Sequence, residues 1–360
     1  MSVETTLVLF LLCSGFSHFA SHHLRSFHLH PEGKLWNESL IYCNQSGGSL
    51  VTLYDEADRN FTERFSGGKK TWLGLKKSRN ITWSNSVPVT FQNISVNVTK
   101  GYQTCVAVNN TTWRGFNCSE RKPFMCSSGR NYRLIESKKS WCQALQHCRR
   151  HFDDLVSISN ETQNQKAIEE GNGTSFWIGL MYDEWEWMDG SCSSFREWGS
   201  SQEGRPGIFT KFVHEGSFPM AKSEWDGHEN SFCSKGTMRI KVIDLHLTWE
   251  QAFNYCKANH TGPLWIDDQE DQKAVRDWLT NGTDFGGPFW IGLRQSRVFG
   301  FWIWSDSMVN YSNWKNDTTP EIPMSHHCGA IENDGSWSDV NCLLQLRFLC
   351  EEEIVFMNKS

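Results

Sequence analysis

A four-residue motif occurs three times along the chain and fixes its organisation as a tandem repeat. The copies begin at Trp72, Trp177 and Trp290, and each reads Trp-Leu/Ile-Gly-Leu. They are separated by 105 and 113 residues, a spacing typical of one small domain. A short apolar run of this kind predicts a buried strand. The 360 residues are therefore predicted to form three related domains rather than one large one.

An amphipathic helix is predicted before each copy of the motif. In each repeat an aromatic residue, an apolar residue and a cysteine stand at positions i, i+4 and i+7, which is one face of a helix. These sets are Trp36, Leu40 and Cys43; Trp141, Leu145 and Cys148; and Trp249, Phe253 and Cys256. A second, polar helix is predicted over residues 55–65, 161–170 and 268–279. Short strands and long loops follow in each repeat, so the fold class is α+β.

The cysteine count indicates an extracellular protein. The chain has 13 cysteines and no Cys-x-x-Cys pair that would suggest zinc. Residues 7–16 form an apolar stretch followed by small residues, which predicts a signal peptide over residues 1–20. A buried N-terminal strand or helix is the alternative. Removal of the signal peptide removes Cys13 and leaves an even number of cysteines, all of which can pair.

The repeat pattern also predicts how the cysteines pair. If the helix cysteine of each repeat bonds to the last cysteine of the same repeat, three long bridges result. Two inner bridges are predicted in the first and third repeats, and the two remaining cysteines of the second repeat are paired with each other. The predicted pairs are Cys43–Cys126, Cys148–Cys233, Cys256–Cys350, Cys105–Cys118, Cys328–Cys342 and Cys142–Cys192.

Composition and motifs exclude several classes of function. The net charge of −6 and the absence of a basic stripe argue against nucleic-acid binding. The sequence has no Gly-x-Ser-x-Gly elbow, no His-Glu-x-x-His motif and no phosphate-binding loop, so we expect no enzyme activity. Many Asn-x-Ser/Thr motifs occur along the chain, which indicates a secreted glycoprotein. No stretch after the predicted signal peptide is apolar for long enough to predict a membrane span.

The repeats resemble C-type lectin-like domains, in particular those of mannose-receptor-type lectins and their multi-domain relatives in fish. The resemblance rests on the Trp-Ile-Gly-Leu strand, the cysteine framework and the Trp337-Ser338-Asp339 triplet before Cys342. It implies three domains, each with two helices, short antiparallel strands and long loops. The predicted bounds are 25–127, 131–234 and 238–352, followed by a C-terminal tail over 353–360.

The resemblance also implies where a calcium ion and a sugar would bind. The family supplies carboxylate and amide oxygens from a Glu-Pro-Asn or Gln-Pro-Asp triplet, from a glutamate before the third cysteine and from a Trp-Asn-Asp triplet. The first repeat has Trp113-Arg114-Gly115 at the last of these, which brings a positive charge to the metal position. The second has Trp225-Asp226-Gly227 and lacks the inner disulfide. We predict no calcium site in either repeat.

The third repeat matches the family's ligand pattern best. Its candidate metal ligands are Glu321 and Asp339, and its candidate ligand-binding residues are Thr319, Glu321, His326, Ser338 and Asp339. Two carboxylates are few for Ca²⁺, which takes six to eight oxygens, so we expect no required cofactor and keep Ca²⁺ as the less favoured alternative. The adjacent histidines His326 and His327 could instead contribute to a zinc site, but two loop histidines are more often simply solvated.

These observations predict an extracellular recognition protein, and the resemblance to C-type lectin-like domains implies a role in innate immunity. The expected partners are glycans or glycoproteins, bound by several domains at once. The alternative is a calcium-independent module that binds a protein ligand through its loops, as receptor–ligand pairs do. The protein is expected to be secreted, or otherwise to be the ectodomain of a membrane receptor.

Overall fold

The computed structural model describes residues 24–91, 102–199, 207–213, 219–223, 227–282, 286–296, 300–305, 307–320 and 327–357. The predicted signal peptide lies outside these ranges. The chain divides into two compact units. One, here called the single-repeat unit, comprises Met1–Ser26 and Gly236–Glu353; the other, the double-repeat unit, comprises Phe27–Lys235 and Ile354–Ser360. In the described ranges, no helix is long and apolar enough to span a bilayer.

The single-repeat unit contains the whole third repeat. Its elements are β13 (Met238–Leu247), α5 (Trp249–Asn259), β14 (Gly262–Pro263), α6 (Gln269–Asn281), β15 (Phe289–Gln295), β16 (Trp302–Trp304), β17 (Ser307–Met308), β18 (His327–Ile331), β19 (Trp337–Asn341) and β20 (Leu346–Glu353). The sheet has the order β13-β20-β15-β16-β17, and β18 joins β15 and carries β19. The first and last strands of the repeat are antiparallel neighbours, so the two ends of this domain meet.

The double-repeat unit contains the first two repeats. Its elements are β1 (Ser26–Lys34), α1 (Trp36–Gln45), β2 (Ser49–Leu50), α2 (Glu56–Phe65), β3 (Thr71–Trp83), β4 (Thr104–Asn109), β5 (Thr112–Asn117), β6 (Lys122–Ser128), β7 (Asn131–Lys139), α3 (Trp141–His151), β8 (Asp154–Leu155), α4 (Glu161–Gly171), β9 (Phe176–Trp187), β10 (Phe209–Phe212), β11 (Met220–Ser223) and β12 (Glu229–Lys235). The α+β class predicted from the sequence is confirmed in both units.

Helix positions follow local chemistry. Ser140 caps α3 by accepting a hydrogen bond from the Gln143 backbone amide, and the Gln143 side chain reaches back to the Ser140 backbone. Asp268 caps α6 in the same way through its carboxylate. Each first helix buries its tryptophan and its cysteine, as the i, i+7 spacing predicts.

The repeated tryptophans form the same two hydrogen bonds in every repeat. The helix tryptophan donates its indole N–H to a carbonyl inside the Trp-x-Gly-Leu strand, at 2.8 to 2.9 Å: Trp36 to Leu73, Trp141 to Ile178 and Trp249 to Ile291. The strand tryptophan donates to a carbonyl just before the helix, at 2.8 to 3.0 Å: Trp72 to Lys34, Trp177 to Lys139 and Trp290 to Leu247. These bonds satisfy buried polar groups and fix the helix on the strand.

The motif glycine is required because backbone approaches backbone at this point. A Cβ atom on Gly74 would lie 2.6 Å from the Leu50 carbonyl oxygen, and one on Gly292 would lie 3.0 Å from that of Leu264. Only glycine allows the short strand after the first helix to pass so closely. This contact explains why the motif reads Trp-x-Gly-Leu.

The first two repeats exchange their C-terminal halves. The last strand of the second repeat, β12, pairs with β2 and with the start of β3, both from the first repeat. Conversely, β6 of the first repeat pairs with β7, β8 and β9 of the second. We call the set of α1, α2, β1, β2 and β10–β12 composite domain A, and the set of α3, α4 and β4–β8 composite domain B. The double-repeat unit is therefore two composite domains, each made from both repeats.

Two long strands run through both composite domains. The strands β3 and β9 are antiparallel partners, with Leu75 opposite Trp187 at one end and Trp83 opposite Leu180 at the other. The first part of β3 adjoins β10 and β12 of composite domain A. The first part of β9 adjoins β4 and β6 of composite domain B. The exchange occurs where the two strands cross from one domain to the other.

The exchange corrects two of the predicted disulfides. The pairs Cys43–Cys126 and Cys148–Cys233 are wrong, because the structure joins Cys43 to Cys233 and Cys126 to Cys148. Each last strand lies against the helix of the other repeat, and its cysteine bonds to the helix cysteine found there. The other four bridges coincide with the predicted pairs: Cys105–Cys118, Cys142–Cys192, Cys256–Cys350 and Cys328–Cys342.

The segment after the last cysteine is held on the double-repeat unit. The Met357 backbone amide donates to the Gly190 carbonyl, and the Cys192 amide donates to the Val355 carbonyl, both at 2.7 Å. Arg149 donates to the Met357 carbonyl at 2.8 Å and contacts the Phe356 carbonyl as well. The first part of the predicted C-terminal tail is thus anchored by backbone hydrogen bonds.

Candidate functional site

The hairpin of β18 and β19 carries the predicted metal-binding triplet of the third repeat. Trp337 is fully buried and donates its indole N–H to the Gln272 side chain at 2.9 Å. Side chains alternate between the two faces of a strand, so Trp337 and Asp339 share one face and Ser338 lies on the other. The hairpin therefore separates the two polar side chains that the resemblance assigns to one ligand site.

Asp339 is engaged by a histidine. Its Oδ2 lies 2.8 Å from Nδ1 of His327, and both side chains are about a third exposed. His327 lies on β18 on the same face as Asp339, as the pairing of Gly329 with Asp339 requires. The prediction placed His326 at the site, whereas within the described residues the histidine at Asp339 is its neighbour His327.

Ser338 is engaged by a glutamate that the sequence analysis did not select. Its hydroxyl donates to Oε1 of Glu332 at 3.0 Å. Glu332 follows β18 directly and its backbone bonds to Ser336 across the turn. No motif singles out this glutamate, because its role depends on the geometry of the hairpin turn.

Of the remaining predicted residues, Thr319 alone lies within the described part of the chain. Thr319 is exposed on the loop after Trp314. Glu321 and His326 lie outside the described residues. Within the ranges that are described, no group of three or more His, Cys, Asp or Glu side chains is placed to hold a metal ion.

The corresponding triplet of the first repeat belongs to composite domain B. Trp113 is fully buried and donates to the Asn164 side chain at 2.9 Å, which matches the bond between Trp337 and Gln272. Asn164 lies on α4, in the second repeat, so this bond also crosses the exchange. Arg114 is exposed, with its charge at the position where the family has a metal ligand. In the second repeat, Asp226 lies outside the described residues.

A second polar cluster lies inside the double-repeat unit and was missed by the sequence analysis. Asp183 on β9 accepts hydrogen bonds at 2.9 Å from Nη2 of Arg196 and from the Trp185 backbone amide. Gln103 also hydrogen-bonds to this carboxylate. Burial raises the pKa of Asp183 and lowers the pKa of Arg196, because both charged forms lose water. Because water does not solvate these two charged groups, each depends on the other, and on the hydrogen bonds around them, for stabilisation of its charge.

The comparisons with known proteins identify the family. Residues 32–128, 137–235 and 246–352 match the model of the lectin C-type domain. These three stretches make up most of the 360 residues, so the chain belongs to the C-type lectin domain family. In the structure, each of the first two matched stretches contributes one part to composite domain A and another part to composite domain B.

Two receptors are among the relatives. The chain is 22% identical to the human secretory phospholipase A2 receptor over 402 residues, which cover 89% of this chain and 27% of the receptor. It is 26% identical to the human C-type mannose receptor 2 over 193 residues, which cover 51% of this chain and 12% of that receptor. The chain thus spans well under a third of either relative. The expected resemblance to fish receptors is not tested by these two.

Two solved structures are each similar to about a third of this chain. Human lithostathine is 22% identical with a TM-score of 0.30, covering 33% of this chain and 94% of that one. The mouse scavenger receptor C-type lectin carbohydrate-recognition domain is 24% identical with a TM-score of 0.29, covering 33% and 92%.

Proposed function

We propose that the protein recognises glycans or glycoproteins outside the cell through contacts that do not require Ca²⁺. Three C-type lectin domains in one chain and the similarity to multi-domain receptors support recognition in general. The observation that carries the calcium-independent mechanism is the contact between His327 and Asp339 at 2.8 Å.

That contact uses the carboxylate on which a calcium site would depend. A Ca²⁺ ion takes six to eight oxygen ligands, and its carboxylates must be free to face it. Asp339 already has an imidazole partner, and the hydroxyl of Ser338 donates to Glu332 on the other face of the hairpin. A metal ion would have to displace His327, and among the residues that the structure describes it would gain a single carboxylate there. Binding by direct hydrogen bonds and packing is therefore the mechanism we infer.

The disulfides, the family model and the receptor relatives also support proposals about where the protein acts and whether it catalyses a reaction. Secretion, or display as the ectodomain of a receptor, is proposed from the disulfides and from the receptor relatives. A binding role without catalysis is proposed because the family model and the relatives are of a binding type. A part in innate immune recognition remains our expectation.

A protein ligand is the second candidate, and one surface favours it. Met308 is 72% exposed and Phe301 is 47% exposed, both at the hairpin of β16 and β17. Ile303 lies directly opposite Met308, so these apolar side chains share one side of the hairpin. Exposed apolar residues on one loop are typical of protein contacts.

The first test measures binding of the whole chain to immobilised serum glycoproteins in Ca²⁺ and in EDTA. We expect equal affinity in both, because no calcium-bound sugar is needed. Removal of N-glycans from the immobilised proteins should abolish binding if glycans are the ligand, and should leave it intact if the protein surface is. Binding that disappears in EDTA would contradict the proposed mechanism.

The second test isolates Asp339. We expect the melting temperature to be the same with excess Ca²⁺ and with chelator, both in the natural chain and in Asp339→Ala. A ligand that binds only the folded state at about 100 times its Kd adds about 2.7 kcal/mol, so a real site would be visible. The matched control is His327→Ala, which frees the carboxylate without removing it. A calcium-dependent rise in the natural chain that Asp339→Ala abolishes would overturn the proposal.

A further inference from the structure

Residues 354–357 lie in a groove on the double-repeat unit as a short added strand. Ser191 and Phe356 are antiparallel partners, and one backbone hydrogen bond of 2.7 Å flanks this pair on each side. The groove therefore recognises the segment through its main chain, as an open sheet edge recognises an added strand. We call residues 354–357 the docked segment.

Arg149 on α3 binds two further carbonyls of the docked segment. Its Nη1 donates to the Phe356 carbonyl, and its Nη2 donates to the Met357 carbonyl at 2.8 Å. The other donors of the guanidinium fix its direction, because Nε bonds to the Asp154 carboxylate at 3.0 Å and Nη2 also bonds to the Ser84 carbonyl at 2.8 Å. A planar guanidinium held in this way presents its remaining N–H groups to backbone oxygens in a fixed geometry.

Two side chains of the docked segment give the groove its specificity. Val355 and Met357 both pack against the apolar core that includes Cys192. They are two residues apart, so in an extended segment they point to the same side. Main-chain hydrogen bonds provide affinity in this mode of binding, and pockets for alternate side chains provide selectivity. The groove therefore fits an extended segment with apolar residues at alternate positions.

The docked segment is short and lies at the surface. Val355, Phe356 and Met357 are all only half-buried. A surface segment of this length opens at a lower free energy than the core strands beneath it. Covalent attachment gives it an effective concentration at the groove, typically about millimolar for a short flexible linker. A separate segment of the same chemistry therefore competes with it on equal contacts.

We propose that this groove is a docking site for an extended segment of a partner protein, one with apolar residues at alternate positions, and that residues 354–357 occupy it as an intramolecular competitor. The partner segment forms the same main-chain bonds to residues 190–192 and to the Arg149 guanidinium. This binding mode uses none of the residues of the Asp339 hairpin. It therefore goes beyond the proposed recognition of glycans, and each can fail without the other.

The test uses the whole chain and a fluorescein-labelled peptide with the sequence of residues 352–357. In the double variant Val355→Asp with Met357→Asp, here called the released variant, the new carboxylates are too costly to bury in the apolar part of the groove. Fluorescence anisotropy should show saturable binding of the peptide to the released variant, at least tenfold tighter than to the natural chain, where the docked segment competes. A peptide with aspartate at both apolar positions is the matched control and should not bind.

A third substitution tests the guanidinium. Arg149→Lys keeps a positive charge beside Asp154 but removes the planar fork, so in the released variant it should weaken peptide binding at least tenfold. The matched control is Arg150→Lys, at the next and exposed position of α3, which should leave the affinity unchanged. Circular dichroism and melting of each variant show whether the fold is kept.

Hydrogen exchange of the natural chain needs no substitution. Excess peptide should displace the docked segment, so the Met357 amide should exchange faster. The Cys192 amide should stay protected, because the peptide supplies the same carbonyl that Val355 supplies in the natural chain. This measurement decides the question if the released variant does not fold.

Three outcomes would overturn the inference. If the peptide does not bind a folded released variant, the groove holds its own segment only because that segment is covalently attached. If the peptide binds the natural chain and the released variant with equal affinity, it binds elsewhere. If the Met357 amide exchanges at an unchanged rate under excess peptide, the docked segment does not give way to a competitor.

Discussion

A single cut between the first two repeats should leave the two pieces joined until the disulfides are reduced. The turn at Gly129 and Arg130 is exposed and separates β6 from β7, so a specific protease site inserted there should be tolerated. In the exchanged arrangement both Cys43–Cys233 and Cys126–Cys148 span this cut. A denaturing gel should therefore show one full-length band without reductant and two shorter bands with it.

The matched control is a cut between Lys235 and Gly236. Every disulfide of the structure lies wholly on one side of that bond, so the fragments should separate without reductant. If the first cut also releases separate fragments before reduction, the helix cysteine of each repeat pairs within its own repeat and the exchange is wrong. The gel distinguishes the two arrangements clearly, because the fragments either stay linked before reduction or separate. Mass spectrometry of the disulfide-linked peptides then assigns each bridge.

The repeat pattern predicted the elements of each domain but not which halves belong together. In each domain the last strand places its cysteine opposite a residue of the short strand after the first helix. Those pairs are Cys233 with Leu50, Cys126 with Leu155 and Cys350 with Pro263. The contact is the same whether the last strand comes from its own repeat or from the neighbouring one. A pattern that is identical in every repeat carries no information on this choice.

Chain entropy does not decide the choice either. The exchanged bridges close sequence separations of 190 and 22 residues. The cost of closing a loop rises by only about 0.6 kcal/mol for each doubling of its length. Relative to pairing within each repeat, one disulfide-closed loop is longer and the other is shorter. The two changes in the cost of loop closure therefore have opposite signs.

The candidate site was predictable only in part, because only some of its residues belong to a motif within one repeat. The sequence analysis identified Asp339 because the Trp-Ser-Asp triplet is a local motif. It also considered the adjacent histidines, but it placed His326 at the site, whereas His327 contacts Asp339. The cluster of Gln103, Asp183 and Arg196 has no local motif. Its members come from two repeats and meet only after the halves have exchanged.

Replacement of Arg196 by methionine should cost about 3–5 kcal/mol of the free energy of unfolding at pH 7, because it leaves the Asp183 carboxylate buried without its cation. The side chains of this pair are 1% and 6% exposed, so solvent does little to replace the lost partner. The measurement is urea unfolding of the oxidised chain, followed by tryptophan fluorescence. The control is Lys273→Met, which breaks an ion pair whose lysine is 55% exposed and should cost less than about 1 kcal/mol.

The pH dependence tests the cause. Without Arg196 the folded-state pKa of Asp183 rises further above its unfolded value, since burial already raises it and the opposing cation is gone. A carboxyl whose pKa is raised by folding binds its proton more tightly in the folded state, so stability increases as the pH falls through the folded pKa toward the unfolded one. The deficit of Arg196→Met should therefore shrink between pH 7 and pH 5, and Asp183→Leu combined with Arg196→Met should remove most of it at pH 7. A deficit that stays constant with pH and persists in the double variant would show that Arg196 acts through packing rather than through its charge.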